Sequence, residues 1–256
     1  MLGASLLLSA CATAPSKEED ALKKTLQHDI TPQTREARDT IARQDVLTQA
    51  AFWAKEYDNN PADREAALKL AQIVRVLGKP ERAAEVASQA LTLYPKDPAL
   101  LLVAGQALIE NAKGANAIEF LQSAAKLTPG DWHVHSALGV AYDQIGKPLK
   151  ARAAFNRALA LKPGNAGILS NLGLNYATAG DLSMAERYLR QAVASPDAPV
   201  QARQNLALVL ALQGRFAEAG TVAAKDLPPQ QAQKNIDYVR AMVVRPSRWK
   251  ALRDAK

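Results

Sequence analysis

The chain has 256 residues and a formal charge of +7; apolar residues make up 48% and aromatics only 5%. Alanine and aliphatic side chains therefore dominate, which suits helices packed closely through small residues better than a sheet core. A single cysteine excludes an internal disulfide and any multi-cysteine metal site, and no apolar run reaches the ~18 residues of a transmembrane helix.

Residues 1–10 are an apolar leader, with Leu2 to Ala10 ending Leu8-Ser9-Ala10 before Cys11. This resembles the lipobox of bacterial lipoproteins, in which small residues precede the cysteine that takes the lipid. The resemblance implies acylation at Cys11 and, with Ala12 rather than Asp following, the periplasmic face of the outer membrane of a Gram-negative bacterium. A secretory leader ordinarily opens with positive charges and is longer, so the expected translation start lies further upstream. Residues 11–43 turn polar, with Ser16-Lys17-Glu18-Glu19-Asp20, Lys23-Lys24, His28 and Thr31-Pro32. Their apolar positions are too sparse for a packed helix, and they read as a tether between membrane and folded part.

From residue 44 to 228 the chain repeats itself every 34 residues. Pro61, Pro95, Pro129 and Pro163 keep that step, as do Ala83, Ala117, Ala151, Ala185 and Ala219, and Ala90, Ala124, Ala158 and Ala192. Asp45–Tyr57 reads as the second helix of a unit whose first has degenerated. Full units then start at 64, 98, 132, 166 and 200. In the unit from Trp132, Leu138-Gly139 and Tyr142 mark one helix stripe. Gly146 ends that helix as a left-handed cap, and Pro148 opens the next, where its missing N–H is no loss. Ala151, Phe155 and Ala158 follow at i, i+4 and i+7. In the unit from Pro98, Ala112 stands where the others have the turn glycine. The pattern resembles the tetratricopeptide (TPR) repeat at every position but the leading Trp, whose slot His135 fills. The expected fold is all-α, a right-handed superhelical solenoid of helix–turn–helix repeats with a C-terminal capping helix.

Residues 229–256 follow Pro228-Pro229. Ile236, Val239, Met242 and Val243 form one stripe of a capping helix that ends before Pro246, and Arg248-Trp249-Lys250 belongs to a basic tail. From Lys225 onward eight basic residues face three acids, so most of the +7 lies there. Such a tail suits anionic lipid, nucleic acid or an acidic partner, or serves only solubility.

Nothing in the chain points to catalysis, a cofactor or a metal. Gly139…Gly146-Lys147 has the wrong spacing for a phosphate loop. His133 and His135, two apart on a helix, point in opposed directions and cannot share a metal by themselves. His135 reads as a packing residue. The TPR resemblance implies a concave groove lined by the first helix of each unit, at Leu102, Gln106 and Ile109, then His133, Ser136, Val140 and Asp143, then Ser170 and Leu174. The lysine/asparagine clamp used by some TPR proteins for C-terminal carboxylates is absent. A groove of small and partly apolar side chains suits a helix or an extended apolar segment of a partner protein.

Several elements together resemble the TadD lipoproteins of tight-adherence (Flp) pilus assembly. They are the order lipobox, tether, array, then Gln204-Asn205-Leu206-Ala207-Leu208, Gly214-Arg215-Phe216-Ala217-Glu218-Ala219, Asp226-Leu227-Pro228-Pro229 and the 235–240 stretch. The resemblance implies an assembly factor, with a pilotin that helps localise the secretin as one form of it. A regulatory adaptor for cell-wall enzymes or for outer-membrane protein assembly is the alternative.

Overall fold

The computed structural model describes residues 34–244, and these contain helices and no strand. Cys11, the stretch before residue 34 and the tail after Val244 lie outside the described residues. The first two helices are α1 (Arg35–Ile41) and α2 (Val46–Asn59). Five antiparallel pairs follow: α3 (Arg64–Val76) with α4 (Pro80–Leu93), α5 (Pro98–Glu110) with α6 (Gly114–Leu127), α7 (Trp132–Gln144) with α8 (Pro148–Leu161), α9 (Ala166–Thr178) with α10 (Leu182–Val193), and α11 (Val200–Leu212) with α12 (Phe216–Ala223). The last helix is α13 (Pro229–Val244).

The same local chemistry draws each hairpin. The inner helices α3, α5, α7 and α9 start on Asp63, Asp97, Asp131 and Asn165, whose side chains accept first-turn backbone N–H groups, each such cap contributing about 1 kcal/mol. Each inner helix ends in a left-handed residue at the same step, Gly78, Ala112, Gly146, Gly180 and Gly214. There the next N–H reaches back to a carbonyl five residues earlier, as Lys147 N donates to Tyr142 O at 2.9 Å. That bond satisfies an end carbonyl and turns the chain.

Packing between paired helices follows a size rule. Gly105, Gly139 and Gly173 stand against Leu121, Phe155 and Leu189, all three of which are buried. A Cβ at Gly105 would lie 2.5 Å from Leu121, and one at Gly139 would fall inside the Phe155 ring's contact distance. Where the slot holds Ala71 or Ala207, the residue sixteen later is Ala87 or Ala223, again buried. Glycine opposes a large side chain, or alanine opposes alanine.

Each pair packs on the next in sequence order, and successive inner helices also touch one another, while the outer helices α4, α6, α8, α10 and α12 pack chiefly on their inner neighbours. The array therefore bends with α3, α5, α7, α9 and α11 on its concave side. Among the joints between the five pairs one is looser than the rest: the contact of α8 with α9 is the slightest from one pair to the next, and α7 and α9 touch least among successive inner helices.

At the N-terminal end the tether reading fails for its last ten residues. Residues 35–41 are helical and docked, though α1 buries no residue fully. Polar contacts hold it: Arg38 donates to Glu56 (2.7 Å), Asp63 (2.5 Å) and Glu65 (2.9 Å) and sits 5.5 Å from the Trp53 ring. A search for apolar periodicity passes over such a helix. At the other end Ile236 and Val239 of α13 close the last cluster with Leu206, Val209 and Leu210.

Candidate functional site

The concave face carries three hollows in a row. Five of the nine groove residues expected from the sequence, Gln106, Ile109, His133, Ser136 and Val140, line one of about 220 Å³, together with Trp132 and the Arg75–Glu110 ion pair. His133 is fixed by Asp131, whose carboxylate is 2.8 Å from its Nδ1, and by stacking on Trp132 with ring centres 3.6 Å apart. His135 turns away and contacts Pro129 O at 3.0 Å.

Asp143 and Leu174 line a second hollow, of about 390 Å³, with Gly146, Pro148, Asn175, Thr178 and Ala179. It opens at the loose joint between α7 and α9. Asn175 is 1% exposed and bridges the joint: its Nδ2 donates to Asp143 and to Pro148 O, and its Oδ1 accepts from Arg152 Nε at 2.6 Å. Arg152 in turn lies 4.2 Å from the Tyr176 ring centre. Burial raises the Asp143 carboxyl above its ordinary pKa, and the Asn175 bond and the Arg152 charge only partly offset that. The carboxylate keeps one oxygen free of Asn175 and has no ion-pair partner among the described residues.

Two expected groove residues sit elsewhere. Ser170 is 4% exposed and accepts a bond from Asn205 Nδ2 at 3.3 Å, joining α9 to α11. It is a seam residue, buried where α9 packs on α11. Leu102 is half-buried and packs against two core clusters. The structure also brings in residues that the sequence reading passed over. Asn175 occupies a column whose other members are Ile73, Ala107, Ala141 and Val209, so a lone polar residue among apolar ones was the available signal. The third hollow, about 360 Å³ between α11 and α13, is lined by Gln204, Leu208, Leu227, Gln231, Asn235 and Ile236. Leu208 continues the 34-residue column of Val140 and Leu174, and Leu174 and Leu208 are 40% and 39% exposed.

Among the described residues no group of His, Cys, Asp and Glu is arranged to hold a metal ion, and no helix is long and apolar enough to cross a membrane. What the face offers is shape, a row of accessible apolar side chains and a few fixed polar groups.

Models of the tetratricopeptide repeat match residues 77–141, 132–165, and 49–98 with 170–232. No curated protein matches the chain. Among solved structures it is similar to a thermophilic TPR protein of Thermus thermophilus, at 24% identity and a TM-score of 0.60 over 70% of this chain and 98% of that one. It is also similar to a MamA protein, at 25% identity and a TM-score of 0.51 over 59% of this chain and 88% of that one. The MamA protein of Desulfovibrio magneticus aligns at 20% identity and a TM-score of 0.55 over 67% and 94%. At these identities the structural likeness carries the fold.

Proposed function

Because the chain belongs to the tetratricopeptide-repeat family, a fold that typically serves as an interaction scaffold, we propose that it receives a segment of a partner protein on its concave face. In this reading it does so as an outer-membrane lipoprotein, anchored through Cys11, in the assembly of a tight-adherence pilus or a related secretion machine. The observation that carries the binding reading is the accessible apolar column Val140, Leu174 and Leu208, one residue per inner helix, running through the hollows. Successive inner helices lie about 10 Å apart, so the column suits apolar side chains every third residue of an extended segment or at i and i+7 of a helix. The pilus reading rests on the lipobox-like Leu8-Ser9-Ala10-Cys11 and on the resemblance of the C-terminal third to TadD lipoproteins.

Capture of the full chain from detergent-solubilised envelopes tests the role. Recovery of a secretin, lost in the Leu174→Glu/Leu208→Glu variant, is expected. Recovery of a cell-wall hydrolase or synthase with no pilus component would instead favour the adaptor. The Cys11→Ala variant should lose stable membrane attachment, since acyl chains supply most of the anchoring free energy. Undiminished association in fractionation would remove the lipid anchor.

A further inference from the structure

We propose that the hollow between α7 and α9 is a cation subsite of the groove, in which Asp143 receives a lysine or arginine of the partner while Leu174 receives a neighbouring apolar side chain. This rests on the groove-binding reading above and names the chemistry that the groove selects.

Asp143 differs from the other acids of the concave face. Glu65 is paired with Arg38 at 2.9 Å and Glu110 with Arg75, so their charges are answered within the chain. The Asp143 carboxylate is half-buried and bonded only to the neutral amide of Asn175. Arg152, whose charge offsets the burial only in part, spends its Nε on Asn175 and lies against the Tyr176 ring. Asn175 is itself clamped by Arg152 and Pro148 O, so the carboxylate is held in place before any ligand arrives. Preorganisation of this kind lowers the cost of binding. The hollow beside it, about 390 Å³, admits a long side chain. It lies at the joint where the array is least packed, so filling it displaces nothing from the core. A partly desolvated carboxylate whose nearby cation answers it only in part gains from a charge-assisted hydrogen bond, and burial, the same cause, raises its pKa.

The test uses the isotope-labelled full chain and three amidated decapeptides. These are identical except at one position, which holds lysine, norleucine or glutamate, two residues from a leucine. The lysine peptide should shift the amide resonances of Asp143, Leu174 and Thr178 at millimolar concentration and bind about tenfold more tightly than the norleucine peptide. Asp143→Asn, which keeps an acceptor for Asn175, should erase that difference, and Asp143→Lys should transfer the preference to the glutamate peptide. Equal binding of the lysine and norleucine peptides in the hollow overturns the cation subsite and leaves the groove reading standing. Shifts confined to the outer helices overturn the groove reading itself. No shift from the lysine peptide at millimolar concentration overturns the subsite, provided that the circular dichroism of the chain shows it folded.

Discussion

At the residue scale the turn column shows what one Cβ costs. Ala112 adopts φ 56° where its four counterparts are glycine, a conformation that costs an L-residue about 1–2 kcal/mol. Ala112→Gly should therefore raise the stability, by about 0.5–1 kcal/mol after the added chain entropy of glycine. Gly146→Ala, at φ 68° with open space around its would-be Cβ, should lower it by about 1 kcal/mol through backbone strain alone. Equal midpoints for wild type and both variants in urea would contradict this account. The residue column itself was legible in the sequence; that Ala112 holds the same strained geometry as the glycines was not, because only the chain's surroundings force it.

At the element scale, the contact between paired helices depends on volume rather than on side-chain type. Gly139→Ala should destabilise by about 1–3 kcal/mol through overpacking against Phe155. In a Phe155→Ala background the same change should cost far less, because the ring that it meets is gone. A double-mutant cycle with no coupling energy would show that the two side chains do not share the space. The docking of α1 obeys a different rule. Its bond to Asp63 above all, with those to Glu56 and Glu65, raises the Arg38 pKa. Arg38→Ala should release α1 and destabilise the first units by about 3 kcal/mol, since three carboxylates lose their shared cation in partly buried surroundings. Full hydrogen-exchange protection of residues 35–41 in that variant would mean that other contacts hold the helix. Residues 35–41 offer little apolar periodicity, and their place in the fold depends on acids 18 to 27 residues further along the chain.

At the scale of the whole molecule, a repeat array is stabilised by neighbour contacts, so its ends and joints open independently. Burial alone would raise the Glu186 carboxyl, but hydrogen bonds from Arg215, Arg190 and Gln213 outweigh it and pull the pKa from the ordinary 4.5 to about 2. The folded state thus binds the proton less readily than the unfolded chain. The stabilisation is full above about pH 4.5 and is lost as pH falls toward 2. Glu186 and its partners tie α10 to α12. Acid should therefore loosen α11–α13 before α3–α8, visible as earlier loss of exchange protection below pH 4.5, and Glu186→Gln should flatten the dependence. Loss of protection in the reverse order would place the acid-sensitive joint elsewhere.

The sequence by itself determined the helical class and the repeat. Proline, glycine and alanine at fixed steps encode turns and close approaches, which are local in chain and space. It also placed Gln106, Ile109, His133, Ser136, Val140, Asp143 and Leu174 on the faces where hollows open, because inner-helix periodicity sets direction. Only the tertiary structure decided which of the expected residues stay accessible. Ser170 is sealed by a bond from α11, 35 residues away. The looseness of the joint between α8 and α9, the clamp on Asn175 and the half-buried setting of Asp143 likewise arise from how units stack. Stacking depends on the summed fit of many side chains from separate units, and no single column of the repeat records that sum.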